Sequence, residues 1–194
     1  MKKKVIRLKN EINMKFDPDK HHRRSIRLPG YDYSRAGAYF ITICTQNREC
    51  LFGNIVDGVM VINEYGMVVQ KCWLETEYIR PGVKLDEYVV MPNHFHGIIV
   101  ITDEYRKNVG AYCDTPLQYD NVYFKSPSKT IGAIVRGFKS QTTKQINQIR
   151  QTPGIPLWQR NYYEHIVRNE MDLNRTRQYI IDNPQNWEKD ENYG

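Results

Sequence analysis

Residues 84–102 read KLDEYVVMPNHFHGIIVIT, and this stretch decides the fold. It contains two runs rich in apolar and β-branched residues, Lys84 to Met91 and His94 to Thr102, and both are typical of strands. Pro92-Asn93 between them suits a tight turn. The pattern therefore predicts two neighbouring antiparallel strands.

His94 and His96 open the second of these strands. Side chains two residues apart on a strand point to one face, so the two imidazoles should converge while Phe95 and Gly97 point away. Neutral imidazoles on a rigid strand are good ligands for a divalent metal ion. A pair of buried, hydrogen-bonded histidines without a metal fits the same spacing, which leaves both interpretations open.

Further strands and amphipathic helices are predicted on both sides of this stretch. Asp57-Gly58 between short apolar runs predicts a small hairpin. Other strand-like segments are Ala38 to Cys44 and Leu157 to Val167, and helices are predicted from Asn63 to Ile79, from Ser128 to Arg150 and from Asn169 to Pro184. This order predicts an α+β fold with helices packed on one face of an antiparallel sheet.

Positive charge is concentrated at the N-terminus. The chain has a net charge of +6, and residues 1–28 hold ten Lys or Arg and three acidic residues. Such an arm can attract phosphates by salt-sensitive, non-specific contacts, although a solvated tail is the simpler alternative. We interpret the chain as a basic arm at 1–28, one domain at 29–187 with a loop or insertion at 103–127, and a C-terminal tail at 188–194.

Cellular location is indicated by the hydrophobicity pattern and the cysteines. The apolar runs are shorter than the roughly 20 residues that cross a bilayer, and a signal-peptide pattern is lacking. The four cysteines form no C-x-x-C pair, so a zinc site or disulfide framework is not indicated. We therefore expect a cytoplasmic protein with reduced thiols and no membrane partner.

The last predicted helix carries a second candidate group. Tyr179 and Asn183 are four residues apart and hence neighbours on one helical face, and Tyr179 lies about 100° from the apolar stripe residue Ile180. A phenol beside a metal can attack phosphorus, and the amide oxygen of Asn183 can complete a metal shell. From periodicity alone, a packing role for Tyr179, one of 14 tyrosines, and a capping role for Asn183 are the simpler interpretation.

Four ordered segments carry a family resemblance that spans roughly residues 22–187. They are VVMPNHFHGIIV at 89–100, IVRGFKS at 134–140, LWQRNYYEH at 157–165 and RQYIIDNP at 177–184. In this order they resemble the single-tyrosine HUH transposases, in the branch of REP-associated tyrosine transposases. A single His-x-His is unspecific, whereas the ordered combination is highly specific.

The resemblance implies a fold, a reaction and site residues. The fold is a ferredoxin-like sheet similar to an RNA-recognition motif. His94, His96 and Asn183 match metal-ligand positions, for Mg²⁺ or Mn²⁺, and Tyr179 matches the nucleophile. The implied partners are single-stranded DNA and DNA hairpins of repetitive palindromic elements, cut to give a 5′-phosphotyrosine and a free 3′-hydroxyl. Members act as monomers or homodimers.

DNA contacts are expected from basic residues on several elements. The candidates are Arg23, Arg24, Arg136, Lys139 and Arg160. Trp158, Tyr162, Tyr163 and Phe124 are candidates for stacking on unpaired bases, although core packing is expected for Trp158. An alternative function is a domesticated, catalytically inactive nucleic-acid-binding module of the same fold. A replication or conjugation HUH nuclease would use the same chemistry but usually carries further domains.

Overall fold

The computed structural model describes residues 30–103 and 130–193 of the chain. Within these ranges it contains six strands and three helices. The strands are β1 (Gly37–Cys44), β2 (Gly53–Val56), β3 (Val59–Ile62), β4 (Val83–Val90), β5 (His94–Ile101) and β6 (Tyr163–Val167), and the helices are α1 (Glu64–Ile79), α2 (Ile131–Ile149) and α3 (Glu170–Asp182). Single 3-10 turns lie at Gln46–Arg48 and Trp187–Lys189.

Four strands form one antiparallel sheet in the order β4-β5-β1-β6, while β2 and β3 form a separate ribbon. Along the chain, the sheet strands alternate with α1 and α2 as strand, helix, strand, strand, helix, strand. This is the βαββαβ arrangement of ferredoxin-like folds. The predicted α+β, ferredoxin-like class is confirmed.

Helices α1 and α2 cover one face of the sheet. Trp73 of α1 and Phe138 of α2 pack on Phe95 of β5, with ring centroids 4.6 and 5.2 Å from that of Phe95. Gly97 on the same face makes room for Trp73, because a Cβ atom there would lie 2.6 Å from Cζ2 of the indole. This face carries the main apolar core.

Helix α3 lies on the opposite face, so the expectation that all helices share one face is wrong for this helix. Ile180 of α3 packs on Phe40 of β1 and Ile98 of β5 in a second, smaller cluster. Strand alternation explains the difference, since Phe40 and Ile98 leave an apolar patch on this face that the stripe of α3 covers. His94 and His96 lie on this face, so α3 is beside them.

Local sequence signals set most element boundaries. The side chain of Asn63 accepts the Gly66 N–H at 3.0 Å and begins α1, and that of Asn169 caps α3 in the same way. Helix α2 begins after Thr130, which caps it; the expected cap, Ser128, lies outside the described residues. The predicted hairpin turn is confirmed by positive φ at Asp57 and Gly58.

Two predicted segments fall outside the described residues. They are the basic arm at 1–28, with Arg23 and Arg24, and all of the 103–127 loop except Asp103. Among the residues that the structure describes, no helix is both long enough and apolar enough to span a membrane.

Candidate metal and tyrosine site

Two imidazoles meet at the start of β5. His94 pairs with Cys44 and His96 with Thr42 in the register of β5 against β1. Both histidines are buried, at 0% and 1% exposure, and their ring centroids are 4.5 Å apart. The prediction that they share one face is confirmed, since Phe95 belongs to the core on the other face.

Each imidazole is held through its Nδ1 atom. The Oδ1 of Asn93 is 2.8 Å from Nδ1 of His94, and the hydroxyl of Thr42 is 2.8 Å from Nδ1 of His96. Histidines that bind metals are commonly oriented in this way, which leaves Nε2 for the ion. The Nε2 atom of His94 is buried and has no hydrogen-bond partner within residues 30–103 and 130–193.

Burial keeps both imidazoles neutral. Desolvation lowers the pKa of His94 to about 4, against a smaller opposing effect of the Asp190 carboxylate. Desolvation, with a contribution from His94, also lowers the pKa of His96 well below its usual value. Because a metal ion binds the unprotonated ring, both side chains are in their ligand form at neutral pH.

A third donor comes from the segment that follows α3. The carboxylate of Asp190 and the imidazole nitrogens of His94 and His96 all lie within 4.8 Å of one another. The three residues therefore form a group that can hold a metal ion. Two imidazole nitrogens and a carboxylate oxygen suit several divalent ions, so the donor set fits a metal without identifying it.

Asn183, the expected third ligand, lies next to this group at the end of α3. Its Nδ2 donates to Oδ2 of Asp190 at 2.8 Å. Its Oδ1 is buried and has no hydrogen-bond partner in the described part of the chain. An unsatisfied buried oxygen beside the unsatisfied Nε2 of His94 is the arrangement that a bound cation would satisfy.

The segment that carries Asp190 is fixed against the start of β5. The ring of Trp187 lies 5.8 Å from that of His94, and the side chain of Asn93 donates to the carbonyl of Asn192 at 2.7 Å. Arg48 donates to the carbonyl of Glu191 at 2.8 Å. Sequence reasoning missed Asp190, because no motif or periodicity distinguishes it from other acids near the C-terminus.

Tyr179 approaches the histidines within its own chain. Its hydroxyl is 3.4 Å from Nε2 of His96 and 3.5 Å from Oδ2 of Asp190. Its ring stands edge-on to Phe40, with centroids 5.9 Å apart. Tyr179 is 45% exposed, which confirms that it lies off the core stripe. Desolvation and nearby acids raise its pKa to about 12, so the phenol is protonated at neutral pH.

Two charged clusters anchor the helix that carries Tyr179. Arg177 donates to both oxygens of Asp86 on β4, at 2.8 and 2.6 Å, next to a register shift in that strand. At the start of α3, Asp172 accepts from His165 at 2.9 Å and from Arg175 at 3.0 Å. The expected hydrogen-bonding role of His165 is confirmed, and α3 is held near its start and at its middle.

The expected DNA contacts have different surroundings. Arg136 and Arg160 have exposed side chains on α2 and on the segment after it. Lys139 is partly buried, and its ammonium donates to the carbonyls of Gln159, Arg160 and Asn161. Lys139 therefore joins two segments of the chain in this structure. Its ammonium would have to give up hydrogen bonds to these carbonyls to make the expected phosphate contact.

Comparison with known proteins places the chain in a family. No family model matches the sequence. A protein of Haemophilus influenzae, described as uncharacterized, is 44% identical over 184 residues, which cover 94% of this chain and 99% of the relative. The chain belongs to the family of that protein.

A structural relative shows the same fold. A REP-associated tyrosine transposase bound to a REP hairpin aligns with a TM-score of 0.53 and 19% sequence identity, over 84% of this chain and 73% of that chain. At this identity the match is evidence for the fold alone. The chain has a transposase-like fold, with the histidines and Tyr179 meeting on one face of its sheet.

Proposed function

We propose that this protein is a transposase that cleaves and rejoins single-stranded DNA through Tyr179 in a metal-dependent reaction. One observation carries the proposal: a tyrosine hydroxyl lies 3.4 Å from Nε2 of His96, beside a group of two neutral imidazoles and a carboxylate. A tyrosine that only packs against the sheet does not require metal-binding groups beside its hydroxyl. A tyrosine that attacks phosphorus requires them, because charge develops on the phosphate oxygens during attack.

His94, His96 and Asp190 would hold the metal, with the Oδ1 of Asn183 as a further oxygen donor. When bound, Mg²⁺ or Mn²⁺ would neutralise the phosphate oxygens and stabilise the leaving oxygen. Asn93 and Thr42 orient the imidazoles through their Nδ1 atoms. Asn183 and the Asn192 N–H orient the Asp190 carboxylate, at 2.8 and 2.6 Å.

Tyr179 would act as the nucleophile. Its phenolic oxygen would form a bond to phosphorus while the bond from phosphorus to the 3′-oxygen breaks, leaving a 5′-phosphotyrosine and a 3′-hydroxyl. The pKa of Tyr179 is raised to about 12, so its proton must leave during attack. That proton passes to solvent, and the departing 3′-oxygen gains a proton from solvent, so no net proton is consumed. Attack by another 3′-hydroxyl reverses these steps and rejoins a strand.

The proposed substrate is single-stranded DNA next to a hairpin. Two observations support it together: the four ordered segments that resemble REP-associated tyrosine transposases, and the fold shared with a transposase solved on a REP hairpin. The basic arm and the exposed Arg136 and Arg160 are consistent with a polyanionic partner.

The proposal is tested with hairpin oligonucleotides that carry single-stranded flanks, taken from inverted repeats beside the gene. Full-length protein is incubated with Mg²⁺, Mn²⁺ or EDTA, and covalent adducts are resolved on denaturing gels. We expect an adduct on the 5′ end of the cut strand that requires metal and is abolished in Tyr179→Phe.

Tyr163→Phe is the matched control, because Tyr163 is also exposed and its ring packs on Phe40 with centroids 6.3 Å apart. It should form the adduct normally. An adduct that persists in Tyr179→Phe would refute the nucleophile assignment. Salt-sensitive hairpin binding without any metal-dependent cut across the panel would instead favour the inactive nucleic-acid-binding module.

A further inference from the structure

A groove lies between α2 and the segment that links α2 to β6. It encloses about 1090 Å³ and is lined by Thr130, by residues of α2 up to Gln148, and by residues of the segment 151–162. It is separate from the metal and tyrosine site, because α2 covers the other face of the sheet. The chemistry proposed for Tyr179 does not use it.

The groove is positively charged. Its described lining contains Arg136, Lys139, Lys144 and Arg160 and has no acidic residue. Arg136, Lys144 and Arg160 have exposed side chains. Helix α1, which packs beside α2, carries Glu64, Glu75 and Glu77 and one lysine, Lys71, so this charge is local to the groove. An anionic ligand fits it.

One wall of the groove is apolar. Ile155 is 51% exposed there, and Pro153 and Pro156 beside it are exposed as well. Val135, Leu157 and Trp158 lie buried behind this lining. A DNA duplex would offer this wall only phosphates, whereas unpaired nucleotides offer base faces and phosphates together.

One end of the groove reaches β1, the strand that pairs with the histidine-bearing strand β5. Trp158 forms a bridge with Thr45, and the Gln159 N–H donates to the carbonyl of Cys44 at 2.9 Å. Cys44 is the residue opposite His94 in the sheet. Lys139 ties α2 to this same segment through its carbonyl contacts. A strand that leaves the groove here is close to the start of β5.

We infer that this groove binds unpaired nucleotides of the DNA strand that Tyr179 cuts, with phosphates on Arg136, Lys144 and Arg160 and bases on the exposed apolar wall at Ile155. The inference rests on the proposed function for the identity of the ligand. The groove holds the strand beside the cleavage site and selects single-stranded over duplex DNA next to it.

Binding without cleavage separates this inference from the chemistry of Tyr179. The probe is a fluorescein-labelled oligodeoxythymidylate of about 15 nucleotides, and a blunt duplex of equal length is the comparison. Anisotropy is measured in EDTA with full-length Tyr179→Phe protein, alone and combined with Arg136→Glu, Lys144→Glu or Ile155→Ser. Lys71→Glu is the matched control, because Lys71 is an exposed helical lysine on α1 outside the groove.

We expect each charge reversal to weaken single-strand binding by roughly tenfold. The slope of the logarithm of the binding constant against the logarithm of the salt concentration should fall by about the amount that one phosphate contact contributes. Ile155→Ser should weaken binding by about threefold with unchanged salt dependence, while Lys71→Glu stays within about twofold. Duplex binding should change less than single-strand binding. Hydrogen exchange of residues 151–162 should slow when the oligonucleotide is added.

Equal binding by groove variants and the Lys71→Glu control would overturn the inference, as would an equal or larger effect on the duplex. These outcomes are independent of the covalent chemistry. If Tyr179 forms an adduct and the groove variants bind normally, the groove assignment fails alone. If no adduct forms and the groove variants lose binding, the cleavage proposal fails alone.

Discussion

The two faces of the sheet bury different kinds of side chain. Under α1 and α2, the strands bury aromatic and branched residues around Trp73, Phe95 and Phe138. Under α3, a cluster of three buried apolar residues adjoins the buried polar side chains of His94, His96 and Asn183. Strand β5 contributes to both faces by alternation. One face therefore supplies most of the apolar stabilisation, while the other accommodates groups that are costly to bury.

The largest expected effect on stability belongs to the apolar face. Trp73→Ala removes the side chain that contacts both Phe95 and Phe138 and should lower the free energy of unfolding by about 3–5 kcal/mol. Urea unfolding followed by circular dichroism measures it. Met67→Ala, at an exposed position of the same helix, should change stability by less than about 0.5 kcal/mol. Similar losses in the two variants would contradict the assignment of Trp73 to the main core of this face.

On the polar face, substitutions should change the affinity for a metal ion. Asp190→Asn keeps the shape of the side chain but removes its charge, so Mn²⁺ affinity measured by calorimetry should fall by about 10- to 100-fold. Glu191→Gln is the control, because only the carbonyl of Glu191 is used in a described contact with Arg48. Equal affinities of the two variants would remove Asp190 from the proposed metal site.

A smaller effect is expected at the anchor of α3. Arg177→Met breaks both bonds to Asp86, and we expect a loss of about 1 kcal/mol, reduced by solvent screening because the Arg177 side chain is 37% exposed. Adduct formation by Tyr179 should slow while Mn²⁺ affinity is retained. Arg175→Met, at 81% exposure, should change neither rate nor affinity. An unchanged adduct rate in Arg177→Met would show that this contact does not position Tyr179.

The smallest expected effect concerns acid stability at the start of α3. The N–H of Arg168, with His165 and Arg175, lowers the pKa of Asp172 to about 2. Because the folded-state pKa is below the unfolded value near 4, the contribution of Asp172 is present above about pH 4 and is lost as the pH falls toward 2. Asp172→Asn should flatten the pH dependence of unfolding in this interval. Equal slopes in wild type and Asp172→Asn would refute the assignment.

The predictable features were those that depend on local periodicity. Strand alternation fixes the shared face of His94 and His96, and helical spacing moves Tyr179 off the stripe of Ile180. The position of α3 across the sheet was not predictable, because an apolar stripe does not specify which face it covers. Asp190 depends on the chain turning back after α3, and Lys139 depends on carbonyls 20 or more residues away in sequence. Such contacts leave no local pattern.

The central claim is that one site on the polar face combines metal-binding side chains with Tyr179. Anomalous diffraction from crystals soaked in Mn²⁺ tests it most directly. We predict a manganese peak in contact with Nε2 of His94 and Nε2 of His96, with an oxygen of Asp190 or Asn183 among its ligands and Tyr179 of the same chain beside it. A peak elsewhere, or histidines without manganese at a concentration that supports binding in solution, would contradict the account.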